Sequence, residues 1–294
     1  MKDYSQEFKI YLSSIKNVSD NTLESYMRDL RQFSAYLDST VDSVVKVDNE
    51  LFLKYINHLQ KNGKSYSTLT RVVASLKCFY DFLVSINAMK QSPVKGVKLV
   101  KKEKKLPEII TNKEVEILLS QPDCTDMKGC RDKAMLETLY ATGIKVSELI
   151  GLKLSDVNLN VGILHLNSSK NERIIPMYPE AIKSLLNYTT KCREILVLDP
   201  QNDYLFTNLN GQPLTRQGVW KIIKQYAKQA VIKKEITPHT LRHSFSTHLL
   251  ENGAPVKDIQ AILGHSDISS TNIYLKIIRN KYAQSYKRYH PMAK

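Results

Sequence analysis

A histidine and an arginine stand three positions apart in the segment PHTLRHSFSTHLLENG, residues 238–253. Residues at this spacing lie on one face of a helix, so His239 and Arg242 are expected side by side. A guanidinium offers a rigid pair of donors to two phosphate oxygens, and an imidazole can donate or shuttle a proton. The pair predicts a phosphate-binding site, although histidines with no role in chemistry would fit this segment equally well.

Metal binding is the competing interpretation of the same segment, because His239 and His243 are four positions apart. The segment lacks the Glu of the H-E-x-x-H zinc motif, and the neighbouring Arg242 would repel a cation. We therefore expect no metal ion at these histidines.

A second polar segment, ILGHSDISSTNIYLKI, spans residues 262–277. Gly264 is of the type that commonly ends a helix, so His265 is expected at a helix end, where its side chain can point into a cleft. Tyr274 follows nine positions later. The chain has 16 tyrosines, most of which must serve packing. Tyr274 becomes a candidate nucleophile because the candidate phosphate-binding residues His239, Arg242 and His265 precede it in the chain.

The first third of the chain has the pattern of a helical bundle. Its apolar residues recur at three- and four-residue steps, which predicts amphipathic helices. These stripes run over residues 23–37, 51–59 and 69–83. Asn21 with Glu24 resembles a capping box at the start of the first helix. The segment 92–110 has Pro near both ends, a run of Lys and no sustained pattern, which indicates a linker.

The rest of the chain, from about residue 108, reads as mostly helical with one small sheet. Two runs that alternate or stay apolar, 161–166 and 173–177, flank the polar NSSKNE and predict a β-hairpin. Helices are predicted from Thr111 and over 132–140, 146–152, 179–196, 216–230, 241–253 and 256–263. The predicted fold class is mainly α, with an N-terminal helical bundle and a second helical domain that carries a small antiparallel β-sheet.

Composition is compatible with a polyanionic partner, and equally with a soluble protein that is merely basic. The 294 residues carry a formal net charge of +14, and Lys and Arg displace condensed counterions from phosphates. A hydrophobic fraction of 42% is enough for packed cores.

Cysteine usage and the N-terminus point to the cytoplasm. The four cysteines, Cys78, Cys124, Cys130 and Cys192, form no C-x-x-C pair, so we expect reduced thiols. The N-terminus has no signal-peptide core, and no stretch approaches the length of a transmembrane helix.

Several segments together resemble the tyrosine recombinase, or phage integrase, family, and most closely its Xer-type members, which act on chromosome dimers. They are ATGIKVSELIGL (141–152), NERIIPM (171–177), HTLRHSFSTHLLENG (239–253), LGH (263–265) and STNIYLKI (270–277). The segments NTLESYMRDLRQFSAYL (21–37) and SYKRYHPMA (285–293) are also Xer-like, so the resemblance covers nearly the whole chain.

The resemblance implies a domain organisation. A SAM-like core-binding domain would span residues 1–91, a basic linker 92–107, and a catalytic domain 108–294, the two domains closing around duplex DNA. The end of the chain, from 281 to 294, would dock onto a neighbouring protomer, with Tyr282, Tyr286 and Tyr289 as docking aromatics.

The resemblance also implies partners and a biological setting. The partner would be duplex DNA with an inverted-repeat recombination site, bound by a homo-tetramer on two sites, alone or with a second related recombinase. The process would be chromosome dimer resolution, hence chromosome partition at cell division, or integration of a mobile element. No cofactor is expected, because a covalent intermediate conserves the energy of the broken bond.

The same resemblance assigns roles to single residues. Tyr274 would be the nucleophile that forms a 3′-phosphotyrosyl link, and Arg242 would hold the non-bridging oxygens of the scissile phosphate. His239 would assist proton transfer and orient the phosphate, and His265 would donate a hydrogen bond to it. A hairpin lysine would protonate the leaving 5′ oxygen. The N-terminal domain would contact DNA through Arg28, Lys64, Ser67, Thr68 and Arg71.

Two positions depart from the family pattern. The family has Arg where this chain has Lys145, and an ammonium cannot grip two oxygens as a guanidinium does. We expect normal DNA binding but cleavage slowed by about 10²–10³-fold, whether the substitution is natural or engineered. The hairpin lysine usually stands earlier, in a Gly-Lys-Gly-type turn, and Lys170 is the candidate here. The alternative to a recombinase is a catalytically impaired DNA-binding or architectural relative.

Overall fold

The structure is a computed structural model. It describes residues 4–37, 44–94, 96–97, 107–168, 171–197, 199, 201–264, 271 and 274–275. The chain divides into two compact units, Met1–Lys104 and Lys105–Lys294. The finer division into 1–91, 92–107 and 108–294 stays a prediction.

The first unit is helical in all its described elements. They are α1 (Ser5–Ile10), a π-helical turn (Tyr11–Ile15), α2 (Asp20–Leu37), a 3-10 turn (Val44–Lys46), α3 (Asn49–Lys61) and α4 (Tyr66–Ser85). Side chains cap two of these helices, since Asp48 accepts from the Leu51 N–H and Ser65 from the Thr68 N–H. The capping box predicted at Asn21 is wrong, because α2 begins at Asp20 after Ser19.

The predicted apolar stripes form the core of this unit. Buried aromatic rings lie at its centre and pack on one another at centroid distances between 4.8 and 6.2 Å; they include Phe33, Phe52, Tyr55 and Tyr80. Asp29 of α2 is fully buried and pairs with Arg71 of α4, which ties the two helices together.

The burial of Tyr55 in this core costs free energy of folding. Its hydroxyl is buried and has no hydrogen-bond partner among the described residues. Burial, with a smaller effect of the Asp29 carboxylate, raises the pKa of Tyr55 from its ordinary value near 10.0 to about 12. We expect Tyr55→Phe to stabilise the chain by about 1 kcal/mol at neutral pH, because it removes an unsatisfied polar group.

The same variant should flatten the loss of stability in alkali. The folded pKa lies above the unfolded one, so the proton stabilises the fold fully below pH 10 and less as pH rises towards about 12. Urea unfolding at neutral and alkaline pH measures both effects, with Tyr66→Phe as the control. A destabilised Tyr55→Phe would contradict this account of the core.

The second unit is mostly helical and carries one small sheet. Its described helices are α5 (Asn112–Leu119), α6 (Met127–Thr142), α7 (Val146–Leu149), α8 (Pro179–Tyr188), α9 (Glu194–Leu196), α10 (Arg216–Gln229), α11 (Pro238–Glu251) and α12 (Val256–Leu263). A 3-10 turn (Leu154–Asp156) precedes the sheet, and a π-helical turn (Thr189–Arg193) joins α8 to α9 where one continuous helix was predicted.

The sheet has the antiparallel order β1 (Val157–Asn158), β2 (Ile163–Ser168), β3 (Asn171–Pro176). Leu164 of β2 lies opposite Ile175 of β3, and both side chains are buried in the core. The predicted hairpin and the mainly helical fold class are confirmed. Strand β1 was not predicted, because two residues are too short for an alternating pattern.

Three cysteines that are distant in the sequence come together in this unit. The thiol of Cys130 is close enough to those of Cys124 and Cys192 to influence their ionisation. All four cysteines of the chain are free. Burial, together with the neighbouring Cys192, raises the pKa of Cys130 to about 12, so this thiol is not ionised at neutral pH.

The helices in the described ranges include no candidate for a membrane span, since each is too short or too polar.

Candidate active site

Arg242 stands at the centre of the site. It belongs to α11, which the Thr237 side chain caps and Pro238 opens. Its side chain is buried, with 5% exposed. Nη1 donates to the carbonyl of Gly143, and Nη2 donates to the carbonyl of Leu263 at 2.8 Å. Arg242 therefore joins the end of α6 to the end of α12.

Glycines complete both helix ends. Gly143 ends α6 with φ 59° and Gly264 ends α12 with φ 62°, in the left-handed region that favours glycine. A Cβ at Gly143 would lie 2.3 Å from Cδ1 of Phe245, so no larger residue fits there. These two turns lead directly into Lys145 and His265, the residues predicted to contact the phosphate.

Tyr274 lies in the same region and is buried, with 1% of the residue exposed. Its ring packs among Phe245, Ile259 and Leu263. Its hydroxyl lies 3.2 Å from Nδ1 of His243. Burial raises the pKa of Tyr274, against the opposing effects of the Ser246 hydroxyl and the Arg242 charge. The phenol is therefore protonated at neutral pH and already next to the predicted phosphate-binding arginine.

His239 lies in the first turn of α11 and is exposed, whereas Arg242 on the same helix is buried. The ring of His243 neighbours both other rings, with centroids 6.4 Å from His239 and 5.6 Å from Tyr274. The sequence interpretation missed His243 as the contact of Tyr274, the predicted nucleophile, and weighed it only as a metal ligand. Its spacing of four from His239 was the available signal. Among the described residues, no group of three metal-binding side chains occurs.

Lys145 occupies the start of α7 and is exposed. Its backbone N–H donates to Oε2 of Glu148 at 2.7 Å, and Nη2 of Arg173 donates to the same oxygen at 2.8 Å. Burial lowers the pKa of Arg242, and the charge of Arg173 adds to that effect while Glu148 and Tyr274 oppose it. In the described part of the site, Lys145, Arg173 and Arg242 carry three positive charges against the one carboxylate of Glu148, a charge balance that favours an anion.

Several predicted residues can be placed only in part. His265, Lys170 and the docking segment 281–294 lie outside the described residues. Arg28, Lys64 and Ser67 are exposed, and Thr68 is half-buried with its hydroxyl 2.9 Å from that of Ser65. Arg71 is partly exposed and held by Asp29, as described above.

A basic face on α10 was missed at the sequence level. From residue 204 to residue 234 the chain has no acidic residue. Four exposed cations and an indole share one face of this helix: Arg216, Trp220, Lys221, Lys224 and Lys228. Nζ of Lys224 lies 4.7 Å from the ring centroid of Trp220. Within the described part of the chain, none of the four cations has a carboxylate within ion-pair distance.

The two-unit helical fold and this cluster of arginine, histidine and tyrosine define a DNA strand-transfer type of site, and the chain belongs to the phage integrase family. The family model matches residues 108–280, and the model of the phage integrase N-terminal SAM-like domain matches residues 6–87. The resemblance inferred from the sequence is confirmed.

Curated relatives and solved structures agree with that assignment. The chain is 41% identical over 291 residues to tyrosine recombinase XerD of Halalkalibacterium halodurans, covering 98% of this chain and 97% of that protein. It is 40% identical to tyrosine recombinase XerD of Listeria innocua over the full length of both. A crystal structure of XerA recombinase is 28% identical, with TM-score 0.54 over 99% of both chains.

A crystal structure of XerH site-specific recombinase, bound to palindromic difH substrate in a post-cleavage complex, shares the fold. Its TM-score is 0.77 at 20% identity, over 96% of this chain and 84% of that one.

Proposed function

We propose that the chain is an Xer-like site-specific DNA recombinase that cleaves and rejoins strands through a 3′-phosphotyrosyl intermediate on Tyr274. The observation that carries the proposal is the contact of the Tyr274 phenol with His243, beside the buried Arg242. Full-length relatives named tyrosine recombinase XerD, at about 40% identity, support it.

The chemistry follows from this arrangement. The Tyr274 oxygen forms a bond to the scissile phosphorus, and the bond from phosphorus to the 5′ oxygen breaks. The phenol proton passes to an imidazole, for which His243 is the group in contact and His239 the one that the family resemblance implies. Arg242 and Lys145 stabilise the charge that develops on the phosphate oxygens. Lys170 would protonate the leaving oxygen. Attack of a 5′ hydroxyl on the phosphotyrosine reverses these steps and rejoins a strand.

Covalent trapping tests the proposal. A nicked duplex that loses a short fragment after cleavage cannot be religated, so the protein–DNA adduct accumulates. We expect an adduct on the natural chain, and mass spectrometry of its peptides should place the nucleotide on Tyr274. If neither this chain nor Lys145→Arg forms an adduct while both bind the DNA, the alternative of a catalytically impaired DNA-binding or architectural relative is correct.

We propose that the basic face of α10 contacts the DNA backbone, together with Arg28, Lys64, Ser67, Thr68 and Arg71 of the first unit. Like charges four residues apart destabilise a helix, so a row of cations without acids is unfavourable unless a polyanion neutralises it. The stacked Trp220 and Lys224 side chains present an apolar ring and a charge together.

The double variant Lys221→Gln/Lys224→Gln should weaken DNA binding and reduce its salt dependence. Each lost phosphate contact lowers the slope of log K against log salt by about 0.9, so we expect a slope smaller by about 2. Titrations at several salt concentrations measure it. Lys183→Gln, an exposed lysine that already neighbours Glu180, is the control and should leave the slope unchanged. An unaltered slope in the double variant would remove α10 from the DNA interface.

The proposed substrate, biological process and assembly follow from the same family. We propose duplex DNA with an inverted-repeat site as the substrate, in the cytoplasm, for chromosome dimer resolution or mobile-element integration. A homo-tetramer on two sites, alone or with a second related recombinase, would be the active assembly, formed by docking of residues 281–294.

A further inference from the structure

Arg173 of β3 contacts the same two turns that Arg242 joins. Its Nη2 donates to Oε2 of Glu148 at 2.8 Å, and that oxygen also accepts the backbone N–H of Lys145 at 2.7 Å. The carboxylate therefore links the Arg173 guanidinium to the residue that departs from the family pattern.

The other side of the guanidinium lies against the end of α12. A Cβ at Gly264 would lie 2.6 Å from Nη1 and 3.1 Å from Cζ of Arg173, so the guanidinium packs directly on the backbone of this residue. Gly264 immediately precedes His265 in the sequence. Arg173 thus fills the space between the turn that carries Lys145 and the turn that leads to His265.

We infer that Arg173 is a positioning residue for strand cleavage, which holds these two turns at a fixed separation around the phosphate. The inference rests on the proposed function. The fixed position of this turn matters more with Lys145 than with the Arg of the family. A flexible ammonium binds phosphate oxygens with less geometric preference than a planar guanidinium.

A purely structural role fits the observations less well. Nε of Arg173 is buried and has no hydrogen-bond partner among the described residues, which costs free energy in the free protein. The charge of Arg173 also acts unfavourably on the neighbouring Arg242. A residue selected for stability alone would satisfy its donors and avoid a second cation, whereas a site that must receive a phosphate favours both arginines.

Variants of Arg173 test the inference on the full chain. With a saturating nicked duplex, we expect Arg173→Gln to form the Tyr274 adduct about 10–10²-fold more slowly, with a DNA Kd within about 3-fold of the natural value. Arg173→Lys keeps the charge and one contact to Glu148, and should recover part of the rate. Arg193→Gln is the matched control, since Arg193 is also buried but donates to the carbonyls of Asn202 and Tyr204. It should lower the thermal midpoint and leave the rate unchanged.

A double variant guards against a simple folding defect. Glu148→Gln should slow cleavage in the same direction, and Glu148→Gln/Arg173→Gln should be no slower than the slower single variant, because both act through one contact. Adduct formation by Arg173→Gln at the natural rate overturns the inference, as does a rate loss that Arg193→Gln reproduces at equal loss of stability. Failure of the natural chain to form any adduct at Tyr274 would instead refute the proposed function.

Discussion

The Tyr274→Phe variant should bind recombination-site DNA with the affinity of the natural chain and form no covalent adduct. Removal of the hydroxyl removes the proposed nucleophile, while the remaining ring still fills the space among Phe245, Ile259 and Leu263. The lost hydrogen bond to His243 should cost about 1 kcal/mol of stability, too little to unfold a domain. Adduct formation on the nicked duplex, resolved by denaturing electrophoresis, gives the measurement.

Tyr140 provides a matched control for this substitution. It is a partly buried tyrosine of the same unit, and its hydroxyl lies 2.8 Å from Nδ1 of His248, so it reproduces the tyrosine–histidine contact of Tyr274. Tyr140→Phe should form the adduct at the natural rate. An adduct that persists in Tyr274→Phe would assign the chemistry to another tyrosine.

The burial of Tyr274 also bears on when it can react. A nucleophile must come within about 3–3.5 Å of the phosphorus, and a tyrosine with 1% of its surface exposed offers no such approach. Burial also disfavours its ionised form. If Tyr274 is the nucleophile, DNA binding must therefore expose the phenol and replace its apolar surroundings by the phosphate and its cations. Its burial would then also protect the free chain from unproductive attack.

Local patterns in the sequence predicted much of the fold. The apolar stripes gave the helices of the first unit, and alternation gave the β2–β3 hairpin. The cap of α2 was misplaced by two residues because Ser19 and Asn21 are both good capping types, and packing rather than propensity decides between them. The two residues of β1 lie below the length at which alternation is informative.

The candidate site was harder to predict because its contacts are distant in the chain. His239 and Arg242 were expected side by side, and they do share a helix, but Arg242 turns inward to the carbonyl of Gly143, 99 residues away. His243 contacts Tyr274 across 31 residues. Helical periodicity places residues on a face and does not show which distant turn packs against it. Arg173 gave no local signal of its position beside Glu148 for the same reason.

The basic face of α10 shows a different limit. The stretch from 204 to 234 has no acidic residue, and this is visible in the sequence. A single net charge for the whole chain does not show where its cations lie. Helix α10 places four of the six cations in this stretch on one side. The other two, Lys233 and Lys234, lie beyond the end of the helix, and Lys234 pairs with Glu114. Helical periodicity applied to residues 216–228 is sufficient to predict this face from the sequence.

Lys145→Arg should accelerate adduct formation by about 10²-fold or more, with little change in the DNA Kd. A guanidinium can bind two phosphate oxygens at once, and a contact of this kind strengthens as charge develops in the transition state. The Lys145 side chain is exposed, so a larger side chain meets no packing barrier. The contact of its backbone N–H with Glu148 does not depend on the side chain and should persist. Rapid-quench measurement at saturating nicked duplex gives the rate.

The chain offers a close control for this substitution in Lys153. It too is exposed and stands at the start of a short helical turn, and its backbone N–H donates to Oδ2 of Asp156 at 2.8 Å. Lys153→Arg makes the same chemical change away from the proposed phosphate and should leave the rate unaltered. Equal rates for the natural chain and Lys145→Arg, with an adduct in both, would refute the hypothesis that Lys145 slows cleavage.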